Sequence, residues 1–140
     1  MTQTKDNKTK NIYLLLSKAE CESDFDTIVG AFSKRNYAIE YRREMKREGE
    51  KKLPRIVKML VDLKTDEGLS TLYVLRRREC ANVLDLPWNL IGLYSSMSDL
   101  ENARAVFKDK DERAMANRDE YSEAYLEEIQ YDIEEIALMK

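Results

Sequence analysis

The stretch Tyr37-Ala-Ile-Glu-Tyr-Arg-Arg-Glu-Met45 constrains the fold more than any other. Tyr37, Ile39, Tyr41 and Met45 fall on one side, and Ala38, Glu40, Arg42 and Glu44 on the other; Arg43 alone interrupts the apolar row. A period of two is what a half-buried strand requires, because successive side chains point to opposite faces. The charged run 46–52, with its single glycine, then reads as a hairpin loop. Residues 53–64 read as a second strand with Val57, Met59, Val61 and Leu63 on one face, and residues 65–68 as a turn. Residues 69–75 return as a third strand, rich in strand-forming side chains. Short connections favour antiparallel neighbours, so the centre is expected to be a three-stranded meander.

The middle strand has a helical alternative over residues 54–66. Arg55, Lys58, Asp62 and Thr65 make one polar helix face, Pro54 suits a first helical position, and Gly68 would follow the end. A helix there would turn the centre into an α/β arrangement. The β-branched Ile56, Val57 and Val61 favour the strand.

Around this centre, residues 1–10 read as a flexible basic arm and residues 11–140 as a single α+β domain. Residues 11–17 read as a short buried strand. Ser23 reads as a cap, with Asp24 and Asp26 in the first turn of a helix whose apolar face is Phe25, Ile28, Val29 and Phe32. A second helix is expected from Trp88. A third begins at a capping box, Ser98 to Glu101, and carries Leu100, Ala103 and Phe107 inward. Tyr121, Tyr125, Ile129, Ile133 and Ile136 step by 4, 4, 4 and 3, which predicts an acidic amphipathic helix over about 119–138. The expected order is β-α-β-β-β-α-α: a mainly antiparallel three- to four-stranded sheet covered by helices. No internal repeat is read.

Two cysteines are too few for a disulfide framework, and the N-terminal apolar run is too short for a signal-peptide core. No stretch is apolar enough to span a membrane, so the expected compartment is the cytoplasm. Residues 1–80 carry 18 Lys and Arg against 13 Asp and Glu, and residues 81–140 carry 6 against 14. The chain is therefore polarised in charge, basic first and acidic last.

Histidine is absent, which removes the commonest general base near neutral pH and the commonest zinc ligand. With four glycines in all, no glycine-rich phosphate loop is present. The best catalytic candidates are Glu20, Glu22, Asp24 and Asp26, carboxylates that could hold Mg²⁺. Glu22 and Asp26 resemble the Toprim motif in spacing, but Ser23 stands where that family has glycine, and no Asp-x-Asp pair follows a later strand. Cys80 reads as a buried small hydrophobe. No cofactor is expected.

Two charged surfaces remain as binding candidates. The basic one comprises Arg42, Arg43, Lys46, Arg47, Lys51 and Lys52, joined by Arg76, Arg77 and Arg78, and it could contact a phosphate backbone. The expected helix–meander–helix order is similar in topology to double-stranded RNA-binding domains, which implies a groove-reaching hairpin loop. The matching second-helix start, residues 85–89, lacks the lysines of that family. The acidic candidate is the C-terminal helix. There Glu123, Glu127, Glu128 and Asp132, beside Tyr121 and Tyr125, could imitate a phosphate backbone and bind another protein.

The expectation is a small non-enzymatic interaction protein: an inhibitor, adaptor or regulator acting through these polarised surfaces. Its size and charge suit an accessory protein of a phage or mobile element that blocks a host nucleic-acid enzyme within its complex. The apolar stripe of the last helix offers a route to a homodimer. A nucleic-acid-binding regulator is the first alternative, and a Mg²⁺-dependent enzyme at Glu20–Asp26 the second.

Overall fold

The run Ile12 to Leu16 forms the middle of β1 (Lys8–Ser17), and Ile12, Leu14, Leu15 and Leu16 are all buried. A strand covered on both faces reads as a continuous apolar run instead of an alternation. In this computed structural model, residues 8–20, 24–63, 69–81, 86–116 and 126–139 are described. The chain continues as β2 (Thr27–Phe32), α1 (Arg35–Arg47), β3 (Arg55–Leu63), β4 (Thr71–Ala81), β5 (Asn89–Tyr94), α2 (Met97–Ala116) and β6 (Leu126–Met139).

The six strands make one mixed sheet in the order β3-β1-β2-β6-β4-β5. It curls until its two edge strands approach each other, so that the barrel is nearly closed. Every pairing is antiparallel except the short parallel one between β2 and β6. All six strands contribute to the interior cluster, among them Leu14, Ala31, Val61, Val74, Leu93 and Leu138. A smaller cluster of Leu15, Phe32 and Ala38 lies beneath α1.

The expected helix-covered sheet of three to four strands is therefore overturned. Both the first and the last expected helices contain strands, β2 and β6, and β5 occupies the start of the expected Trp88 helix. The expected strand 37–45 is helical, as part of α1. Strands 53–64 and 69–75 exist as β3 and β4, so the helical alternative for 54–66 is not adopted over Arg55–Leu63. They do not pair, because β1, β2 and β6 lie between them. Residues 8–10 of the expected arm belong to β1 and pair with Val61–Leu63.

The cause is an ambiguity in spacing. Tyr37, Tyr41 and Met45 step by four, as do Ile129 and Ile133, and a step of four keeps a residue on one side in both helix and strand. The deciding positions lie between. Glycine ends α1: Gly49 has φ 95°, its N–H donates to the Lys46 carbonyl, and the Glu50 N–H donates to the Met45 carbonyl. That is the left-handed Schellman cap, a helix-stop signal inside what reads as a hairpin loop. At the other helix, Ser96 and not Ser98 is the cap, its Oγ accepting the Asp99 N–H at 3.1 Å.

The topology also reveals an internal repeat. β1-β2-α1-β3 and β4-β5-α2-β6 are the same ββαβ unit, each with its first strand between the other two. β2 and β5 are offset by 62 residues at both ends. Ile28-Val-Gly-Ala-Phe-Ser33 matches Leu90-Ile-Gly-Leu-Tyr-Ser95, and Ile12-Tyr-Leu-Leu-Leu16 matches Leu72-Tyr-Val-Leu-Arg76. The first two strands of each unit slip register at the equivalent place, Leu15/Leu16 and Leu75/Arg76, opposite Gly30 and Gly92. Ala38 in α1 and Leu100 in α2 are equivalent, and each is the buried residue of its helix.

Candidate functional site

Equivalence between the units isolates two neighbouring exceptions. The interior residues Ile12, Leu14, Ala31 and Val61 have apolar counterparts in Leu72, Val74, Leu93 and Leu138. Leu16 is matched by Arg76, which is 2% exposed. The strand registers likewise set Val57 against Glu134 and Arg55 against Asp132. At this end the second unit thus sets Arg76 and Glu134 where the first has Leu16 and Val57, and both units carry a charge at the third position, Asp132 and Arg55.

Arg76 Nη1 donates to Asp132 Oδ2 at 3.1 Å, and Nη2 lies 2.7 Å from Glu134 Oε1. The second contact is an ion pair without hydrogen-bond alignment, and Nη2 makes no hydrogen bond among the described residues. The Phe25 ring covers the guanidinium at 4.1 Å. The Trp88 ring packs edge-on to Phe25 at 5.9 Å and covers the Arg78 guanidinium at 4.6 Å. Arg78 also donates to Gln130.

Beside Arg76 opens a cavity of about 400 Å³, bounded by β3, β5 and the segment ahead of β2. At its rim Arg55 bonds Asp26 at 2.8 Å, and Asp26 also accepts the Ala19 N–H at 3.0 Å. Burial opposes the charge on Asp26, but the Ala19 N–H and Arg55 outweigh it and hold the carboxyl below its usual range.

Arg77 points to the other face of β4 and clamps α2. Its Nε and Nη2 reach the two oxygens of Asp111 at 3.0 and 2.7 Å, Glu79 lies 3.2 Å from Nη2, and the Tyr131 hydroxyl donates to Asp111. The hydrogen bonds to Asp111 raise the Arg77 pKa. Burial opposes the charge on Asp111, yet Arg77 and Tyr131 together lower its pKa. Burial, then the bond to Asp111, pushes the Tyr131 hydroxyl up to about 12.

The expected basic surface is therefore split. Arg42, Arg43, Lys46 and Arg47 stand exposed on α1, and Lys51 and Lys52 on the loop after it. Arg76, Arg77 and Arg78 lie on β4, engaged with carboxylates, amide and rings. On the expected acidic surface, Asp132 faces Arg76 and Glu128 is exposed, both on the inner face of β6. Glu127 lies in β6, and Tyr121, Glu123 and Tyr125 lie outside the described residues. So do Glu22, Ser23, Cys21 and the expected turn 65–68. Cys80 is buried. Of the four catalytic candidates, Asp26 is bound to Arg55, and Glu20 and Asp24 are exposed. Among the described residues no three acidic or cysteine side chains gather as metal ligands. No helix there is long and apolar enough to cross a membrane.

Sequence reasoning missed Arg55, Lys58, Phe25 and Trp88 as neighbours of Arg76. The available signal was an arginine ending a strand whose twin ends in leucine. No family model, curated protein or solved structure matches the chain.

Proposed function

We propose that this chain is a non-enzymatic interaction protein that grips a nucleic-acid backbone with the outer face of α1. One observation carries the reading. Arg35, Arg42 and Lys46, spaced 7 and 4, form one stripe along the helix, with Arg43 and Arg47 beside it. All five are exposed; Glu40 and Glu44 lie on the adjoining side with Tyr37, where Arg47 is paired with Glu44, so Arg35, Arg42, Arg43 and Lys46 are the cations turned to solvent. The helix sits on β1 and β2 through Ala38, with Tyr41 against the Phe32 ring and Ile39 and Met45 half-buried, which leaves the basic side turned to solvent. Lys51 and Lys52 extend the basic surface beyond Gly49. Cations arrayed this way hold phosphates at a spacing set by the helix and carry little base information.

The test is a titration of a short labelled duplex, DNA and RNA in parallel, at several salt concentrations. Affinity falls steeply with salt. Replacing Arg42, Arg43 and Lys46 by Gln makes the log–log slope shallower by about 3, since each lost phosphate contact removes roughly 0.9. An unchanged slope overturns the reading. Recovery from lysate of a protein partner that survives nuclease, with no duplex binding at low salt, assigns the helix to an acidic protein surface instead.

A further inference from the structure

We propose that the cavity beside Arg76 is a binding site for a small amphipathic carboxylate: one carboxyl group on an apolar body. The site is separate from the basic face of α1.

The internal repeat supplies the first argument. Burying an ion pair is often no better for stability than packing apolar groups of similar volume. The first unit fills the two corresponding interior positions with Leu16 and Val57, so the fold has an apolar solution there. The second unit sets Arg76 and Glu134 there instead. The buried charge is therefore placed for something other than folding.

The cavity says what that is. Its charged lining is Arg55, Lys58 and Arg76 against one carboxylate, Asp26. Val57, Met59 and Leu90 give it an apolar wall. At about 400 Å³ it falls in the range of small-molecule sites, which pair apolar walls with a few placed polar groups. Arg76 Nη2 has no acceptor in line. Asp132 and Glu134 offset its charge from the β6 side and Asp26 offsets that of Arg55, so among the described residues Lys58 is the lining cation without an ion pair. A singly charged carboxylate is thus a better match than a phosphate dianion.

Access follows from the topology. On one side of the barrel the two units are zipped by Ala31 with Leu138 and Phe32 with Met139. The equivalent seam, between β3 and β5, carries no ladder; the Ser95 hydroxyl bonds the Asp62 carbonyl at 2.9 Å near its far end. The cavity opens along this seam.

Trp88 is the only tryptophan and forms a wall of the cavity, so its emission reads occupancy in the full chain. The probes are sodium octanoate, 1-octanol and octyltrimethylammonium, each below its micellar or solubility limit. Octanoate is expected to change Trp88 emission saturably, at least 10-fold more tightly than octanol, and the cation not to saturate. Arg76→Leu with Glu134→Val, which copies the first unit, is expected to keep its circular dichroism and lose the preference for octanoate over octanol. Lys58→Gln, at an exposed position, is expected to weaken octanoate several-fold and leave octanol unchanged; it decides the matter if the double variant does not fold. Three results would each overturn the proposal: no saturable change with octanoate, octanol binding as tightly, or octanoate affinity unaltered in the folded variants.

Discussion

Arg77 and Asp111 join α2 to β4 through a two-pronged contact whose side chains are 19% and 16% exposed. Removing one partner leaves the other charge half-buried, so Asp111→Asn is expected to cost about 3 kcal/mol in urea unfolding at pH 7. The pH dependence has a definite sign. The Asp111 pKa is lower folded than unfolded, so its contribution is complete above about pH 4 and is lost as pH falls through the lowered folded value. Tyr131 acts in the opposite sense. Its pKa rises from 10.0 to about 12 on folding, so its contribution is lost as pH climbs through that interval. Urea midpoints of wild type and Asp111→Asn should therefore converge at acid pH; a constant gap down to pH 2 would contradict the assignment.

At the scale of elements, two glycines mark the register slips that bend each unit. A Cβ on Gly30 would meet the Phe32 ring at 2.9 Å, and one on Gly92 would meet the Tyr94 ring and hydroxyl closer still. In each unit the aromatic two residues on fills the space a side chain would take. Gly30→Ala and Gly92→Ala are both expected to destabilise, each by about 1–2 kcal/mol as the ring is displaced. Denaturant midpoints check this, and two neutral substitutions would refute the equivalence. These elements also show what was legible. β1, β3 and the core of β4 were readable because Ile12 to Leu16, Ile56 to Val61 and Leu72 to Leu75 combine strand propensity with length. α1 and β6 were not, because Tyr37, Tyr41 and Met45, and Ile129 and Ile133, recur at a step of four shared by both periods; β2 was not, because Phe25, Ile28, Val29 and Phe32 step by 3, 1 and 3 as on a helix face. Tyr131, on the same face as Ile129 and Ile133, was the strand signal in β6; Gly49 was the helix-stop signal after α1.

At the scale of the molecule, the barrel places the charges that sequence alone left as two opposed halves. The acidic row of β6 turns Asp132 and Glu134 inward to Arg76, while the basic row of α1 stays outside. Neither destination follows from net charge, because strand pairing between residues far apart in sequence decides which carboxylate meets which arginine. The repeat would have helped: once Leu72-Tyr-Val-Leu-Arg76 is set beneath Ile12-Tyr-Leu-Leu-Leu16, the arginine stands out as the interior exception. The burial of Arg76 and the charge beside the cavity depend on β6 being the strand that joins the units.

The most direct measurement is therefore a set of nuclear Overhauser contacts along residues 126–139 in solution. The account predicts cross-strand backbone contacts of antiparallel type to β4, including Leu75 with Ile133 and Arg76 with Asp132, and parallel contacts from Leu138 and Met139 to Ala31 and Phe32. Successive amide–amide contacts running through the segment, the mark of a helix, would contradict it.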